Sequence, residues 1–139
     1  RTPMQWTDGA NAGFTTGTPW LAVNPNYREI NAAEQEARPD SVLNYYRALI
    51  ALRKSDALRE LFTYGSFVPR WADTETVFGF ERRLGEQRVL VAANFGAEPA
   101  AIRLGTADTE LLLSNCGRGC VPADEVLTLA PCESIVLKQ

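Results

Sequence analysis

Val77-Phe78-Gly79-Phe80-Glu81-Arg82-Arg83-Leu84-Gly85-Glu86-Gln87-Arg88-Val89-Leu90-Val91-Ala92 is the stretch that decides the fold of this 139-residue chain. Two runs rich in β-branched and aromatic residues flank a Leu84-Gly85-Glu86 turn signal, the pattern of two consecutive strands. Working outward, the strand period holds from Phe62 to the end. Candidate strands cover residues 63–70, 76–83, 88–95, 100–104, 110–114, 125–129 and 134–138. Turn signals such as Gly96-Ala97-Glu98-Pro99 and Gly117-Arg118-Gly119 separate them. Short strands at about ten-residue spacing predict a mainly β fold, an antiparallel β-sandwich.

Toward the N-terminus the period changes to that of a helix. Val42, Leu43, Tyr46, Leu49, Ile50 and Leu52 recur at helical spacing, and Asp40 or Ser41 is placed to cap the first free N–H groups. Arg53 and Lys54 suit the negative end of the helix dipole. The predicted helix, residues 41–54, has a wide apolar face, with the Tyr45-Tyr46 pair read as core. Residues 55–61 read as a short connector. Residues 28–39 are polar and rich in Ala and Glu, and Pro39 breaks whatever helix precedes it.

Residues 1–27 read as a long loop. They carry turn signals and no apolar period, yet hold Trp6, Phe14, Trp20 and Tyr27 together with Arg1. Aromatics at this density argue against disorder, and loops of this length are mostly functional. A cation beside flat apolar faces suits a neutral polyhydroxylated ligand. The same aromatics also serve to hold a loop down, and composition leaves both readings open. Asn24, Asn26 and Asn31 read as turn-formers.

The 45% apolar and 22% charged content is that of a soluble globular protein. A net charge of −3 without a basic cluster excludes a nucleic-acid footprint, and no apolar run reaches the length of a membrane span. The chain opens on Arg1 rather than Met and without a signal peptide, from which we expect a missing upstream part and a cytoplasmic location. Cys116, Cys120 and Cys132 are an odd set that fits reduced thiols; a Cys116–Cys120 disulfide across Gly-Arg-Gly is the alternative. With no His in the chain a zinc site lacks its ligands, and neither metal nor cofactor is expected.

A specific likeness lies in the loop. The run Arg1-Thr2-Pro3-Met4-Gln5-Trp6, then Asn11-Ala12-Gly13-Phe14, Pro19-Trp20, Val23-Asn24-Pro25-Asn26-Tyr27, Ile30-Asn31 and Gln35, resembles the loop after the eighth barrel strand in alpha-glucosidases of glycoside hydrolase family 13. The group it is similar to comprises oligo-1,6-glucosidase, dextran glucosidase, trehalose-6-phosphate hydrolase and the sucrose isomerases. The likeness runs through Ser41-Val42-Leu43 to Arg53 and thins beyond. One departure is that Thr7 stands directly after Trp6, where the family has Asp.

The resemblance implies that residues 1–56 are the last loop and helix of an incomplete catalytic (β/α)8 barrel, and residues 57–139 the C-terminal β-sandwich domain. It implies a retaining hydrolase that removes terminal alpha-linked glucose from short oligosaccharides, with the missing barrel as the chain's partner. The family's two catalytic carboxylates and its Asn-His-Asp motif belong upstream. We assign no catalytic residue to this chain, since Asp8, Glu29, Glu34, Glu36, Asp40, Asp73, Glu75, Glu81 and Glu86 form no convincing pair. Arg1 is implied to bind the non-reducing glucose in the intact enzyme only, together with a carboxylate from elsewhere. Trp6 and Phe14 line the pocket or pack the loop. The alternatives are part of a sucrose isomerase or trehalose synthase, or a free-standing carbohydrate-binding or structural sandwich using Trp71, the one exposed-aromatic candidate on the strands. A helix 41–54 without a barrel predicts self-association or a disordered N-terminal part.

Overall fold

The computed structural model describes residues 1–105, 109–121 and 125–139. These form two compact units, Arg1–Ala48 and Leu49–Gln139.

The second unit is antiparallel throughout. Strands β1 (Ser66–Arg70), β2 (Val77–Leu84), β3 (Gln87–Asn94), β4 (Ala100–Arg103), β5 (Glu110–Ser114), β6 (Val126–Leu129) and β7 (Ser134–Lys138) make a five-stranded sheet, β1-β2-β3-β7-β5, and a two-stranded sheet, β4-β6. β2 and β3 pair from Val77 opposite Asn94 to Leu84 opposite Gln87, so the stretch that opened the reading is a hairpin. Gly85, at φ 57°, supplies its left-handed turn residue. Alternation sends Leu90, Ala92, Ile135 and Leu137 into a core with Ile102, Leu104, Leu127 and Leu129 from the small sheet. Their neighbours Val89 and Val136 face the other way, onto Leu58 and Leu61. One sheet thus buries both faces, and each fully buried aliphatic side chain contributes about 1.5–3 kcal/mol.

The first expected strand, residues 63–70, needs a correction at its start. Phe62, Thr63 and Tyr64 do not begin a strand but complete helix α3 (Arg59–Tyr64), the fully buried Leu61 anchoring it. Gly65 ends α3 by donating its N–H to the Leu61 carbonyl at 3.0 Å; a Cβ there would lie 2.5 Å from that oxygen, so only glycine fits. Tertiary burial of Leu61 outweighs the β propensity of Phe-Thr-Tyr.

Helices α1 (Ala32–Ala37) and α2 (Val42–Lys54) precede it. Ser41 is the cap of α2, its hydroxyl accepting the Asn44 N–H at 3.2 Å. No α2 residue is buried. Val42, Tyr46 and Ile50 are exposed, so Tyr46 is not core as the spacing suggested: the helix presents an apolar face that the described residues leave open. Within 1–27, short turns of 3-10 type occupy Ala10–Gly13 and Pro25–Arg28.

Candidate functional site

Polar side chains that bond backbone hold the aromatic loop. Asn31 caps α1 by accepting the Glu34 N–H at 2.9 Å and donates to the Tyr27 carbonyl at 2.9 Å. The next free donors of α1, the Ala32 and Ala33 N–H groups, reach the carbonyls of Gln5 (2.9 Å) and Trp6 (3.0 Å). The helix start thus pins the first segment, which would otherwise leave its own carbonyls unpaired. Gln5 reinforces this by donating its side-chain amide to Asn26 Oδ1 at 3.1 Å and to the Ile30 carbonyl. Asn24 Oδ1 accepts the Asn26 N–H at 3.4 Å, so the asparagines act as turn-formers.

Trp6 and Thr7 both donate their N–H to the Ala12 carbonyl, at 2.8 and 3.1 Å, closing a small loop. Thr7 Oγ1 accepts the Gly9 N–H at 3.2 Å. This is a local side-chain-to-backbone turn of the kind Ser, Thr, Asn and Asp make. Asn11 holds the far side by donating to the carbonyls of Thr15 and Gly17 at 3.2 and 2.9 Å. Trp6 and Phe14 stand at the two ends of this closed turn, about half exposed at 51% and 49%, and Trp20 is 84% exposed. Arg1 is exposed, with no ion-pair partner among the described residues. The geometry brings Trp6 and Phe14 into one structured turn and leaves Arg1 at the free end of the pinned segment.

One feature of this unit escaped the sequence reading. Met4, Ile30, Val42, Leu43 and Tyr46 line an apolar groove of about 610 Å³, with Gln35 at its wall. Its signal was Met4 and Ile30, isolated apolar residues in polar surroundings.

Three carboxylates of this unit pair with arginines. Glu34 and Asp40 meet Arg38 at 3.1 and 3.6 Å, and Glu36 meets Arg47 at 2.8 Å. In the sandwich two carboxylates are buried. Glu81 is held by Arg70 and by Arg83, whose Nε donates at 2.5 Å. Glu133, which the sequence reading passed over, accepts from Arg118 Nε at 2.7 Å, Arg118 Nη2 at 2.8 Å and the Ala130 N–H at 2.7 Å. Arg118's hydrogen bonds lower the Glu133 carboxyl below its ordinary range, with the Ala130 N–H adding to them against the opposing effect of burial. Each of these acids is ion-paired where it sits, and the lowered Glu133 is the opposite of the raised carboxyl that a proton donor for a glycosidic oxygen needs. No group of three His, Cys, Asp or Glu able to hold a metal occurs among the described residues.

Trp71 is packed rather than presented. Its Nε1–H donates to the Arg103 carbonyl at 3.1 Å, Arg70 lies over its ring at 5.5 Å, and the ring rests on Gly79 against the core. The exposed aromatics of the sandwich are instead Phe67 and Phe78 on strands and Phe95 just past β3, which corrects the expectation that Trp71 alone could face solvent.

An antiparallel sandwich that follows α2 and α3, with a pinned aromatic loop ahead of them, defines the C-terminal part of an alpha-amylase-type glycosidase. The family model described as Alpha amylase, catalytic domain, matches residues 1–61, and the chain belongs to glycoside hydrolase family 13. Among particular relatives, the oligo-1,6-glucosidase of Bacillus cereus is 41% identical over 142 residues, covering 99% of this chain and 25% of the relative. The probable oligo-1,6-glucosidase 2 of Bacillus subtilis is 45% identical over 140 residues, 98% of this chain and 24% of its own length. The crystal structure of isomaltulose synthase from a Klebsiella species superposes with a TM-score of 0.88 at 39% identity, over 99% of this chain and 24% of that one. The chain therefore spans about a quarter of the length of the relatives it matches. Among the described residues no helix is long and apolar enough to cross a membrane.

Proposed function

We propose that the chain is the closing part of a cytoplasmic retaining alpha-glucosidase that removes terminal alpha-linked glucose from short oligosaccharides through a glucosyl-enzyme intermediate. Residues 1–56 contribute the last loop and helix of the barrel, and residues 57–139 the sandwich. The observation that carries this reading is the nearly full-length match of the chain to oligo-1,6-glucosidases at 41% and 45% identity. The role of the chain itself is structural. Its Glu34, Glu36, Asp40, Glu81 and Glu133 are tied to arginines, its loop is pinned by backbone hydrogen bonds, and the open face of Val42, Tyr46 and Ile50 is where the barrel belongs. Arg1 binds the non-reducing glucose in the intact enzyme, with Trp6 and Phe14 beside it as pocket wall or packing. The open helix face supports self-association of the isolated chain, the alternative being a disordered N-terminal part.

A second reading, a sucrose isomerase or trehalose synthase, draws on the isomaltulose and trehalulose synthases among the structural relatives, at TM-scores of 0.88 and 0.86. The intact protein, incubated with isomaltose and separately with sucrose, separates the two. Release of glucose, first as the alpha anomer, with little rearranged disaccharide supports the hydrolase. Conversion of sucrose mainly to an isomeric disaccharide replaces it with the isomerase, and inactivity on both sugars refutes the glycosidase reading. The 139-residue chain alone is expected to be inert in the same assay.

A further inference from the structure

All three cysteines are free and exposed, and they gather around the buried Arg118–Glu133 pair. β5 and β7 run antiparallel with Ser114 opposite Ile135. The pairing extends one step further, the Asn115 N–H donating to the Ser134 carbonyl at 3.2 Å. Asn115 then clasps the start of β7 with its side chain. Its Nδ2 donates to the Cys132 carbonyl at 2.9 Å and its Oδ1 accepts the Ser134 N–H at 2.7 Å.

Both cysteines lie in the turns just past this pairing, the Cys116 N–H donating to Ser114 Oγ at 3.1 Å, and the Asn115 clasp on the Cys132 carbonyl holds the two turns side by side. Paired strands lie about 5 Å apart, so the turns that leave the ends of β5 and β7 start at that spacing. Disulfides span Cα separations of about 4.4–6.8 Å. Cys132 sits at φ 56°, where the strand has given way to a turn, so the alternation that sends neighbouring side chains to opposite faces stops there. Electrostatics agree with this neighbourhood. Burial first, then the charges of Glu133 and Cys132, push the Cys116 thiol up, with Arg118 opposing. Cys116 and Cys120 both act on Arg118, whereas the thiol that acts on Cys116 is Cys132 and not Cys120, the partner that sequence proximity suggested. The guanidinium between Cys116 and Cys120 is drawn back to Glu133 and to the Thr128 carbonyl at 2.8 Å.

The geometry points to Cys116 and Cys132 as a reversible disulfide pair that clips the end of β5 to the start of β7 and makes the stability of the sandwich redox-dependent. The oxidant is a small-molecule disulfide. One cysteine thiolate attacks a sulfur of the reagent, forming a mixed disulfide and expelling one thiolate; the second cysteine thiolate attacks the bound protein sulfur, closes the bridge and expels the other. Two electrons pass from the protein to the reagent, and the protons of the two cysteines end on the two released thiols.

The full chain, equilibrated with oxidised glutathione at mildly alkaline pH, alkylated and digested, is expected to yield a Cys116–Cys132 crosslinked peptide with Cys120 alkylated. Oxidation is expected to raise the thermal midpoint by about 10 °C, as closing a loop of this length does in a domain of this size. Cys120→Ser should keep that rise and Cys132→Ser should lose it. A main product bridging Cys116 to Cys120, recovery of all three thiols alkylated, or a bridge that leaves the midpoint unchanged overturns the inference. The peptide map on the unaltered chain decides the pairing without any variant having to fold.

Discussion

Replacing Gly79 with alanine tests whether Trp71 is a wedge in the core or a platform for sugar. A Cβ at position 79 would fall 2.3 Å and 2.4 Å from ring carbons Cε3 and Cζ3 of Trp71. Carbon atoms in good contact lie about 3.5–4.0 Å apart, so the ring has to retreat by more than about 1 Å. It has nowhere to retreat freely: its Nε1–H is bonded to the Arg103 carbonyl at 3.1 Å and its edge packs on the cluster that contains Val77 and Leu104. Overpacking of this kind costs about 1–3 kcal/mol and a lost hydrogen bond about 1 kcal/mol. We expect Gly79→Ala to destabilise the sandwich by about 2–4 kcal/mol, a large share of the roughly 5–15 kcal/mol of a whole domain. Urea unfolding followed by circular dichroism measures the loss, and adding Trp71→Leu should recover part of it by vacating the ring's place. A Gly79→Ala chain within about 0.5 kcal/mol of the parent would refute the reasoning. The ring would then be free to swing out, and a sugar-facing Trp71 would again be admissible.

Two further tests address the buried pair and the loop. The Glu133 carboxyl is lowered in the folded state, so its contribution is fully present above its ordinary value of 4.5 and fades as the pH falls through the depressed folded value. Glu133→Gln should cost about 2 kcal/mol at neutral pH, by weakening the charged hydrogen bonds to Arg118. The difference between parent and variant should shrink below about pH 4 in urea titrations; a difference independent of pH would remove the ion pair from the explanation. Asn31→Ala removes both the cap of α1 and the bond to the Tyr27 carbonyl, and should lower stability of the N-terminal unit by about 1–2 kcal/mol in thermal unfolding. Asn31→Asp keeps the capping oxygen and should lose less; an equal loss would show that the cap contributes nothing.

Most strands were legible because each carries its own signal. Val77, Phe80, Val89 and Val91 are β-formers beside a turn that needs Gly85 at φ 57°, and the structure makes both runs strands. Helix α3 was misread because Phe62-Thr63-Tyr64 has strand composition, and only the burial of Leu61 with Val89 and Val136 keeps it helical. The site was legible in part. The asparagine turns act over a few residues, as in the bond from Asn24 to Asn26, and local chemistry predicts them. Glu133 was passed over because Ala130-Pro131-Cys132-Glu133 reads as a polar turn, while its partner Arg118 stands fifteen residues earlier. Tyr46 looked like core because helical spacing reports an apolar face and says nothing of what lies against it.

By itself, then, the chain's sequence determined the local elements and the family: strand-forming runs, Ser41 as one of two caps, and the ordered aromatic loop with its matching residues. The tertiary structure alone decided the β1-β2-β3-β7-β5 order and the seat of Trp71 on Gly79. The physical reason is one of range. Backbone preference and turn chemistry act over a few residues, whereas pairing across a sheet and burial of a charge join residues far apart in the chain, and each depends on where the others already lie.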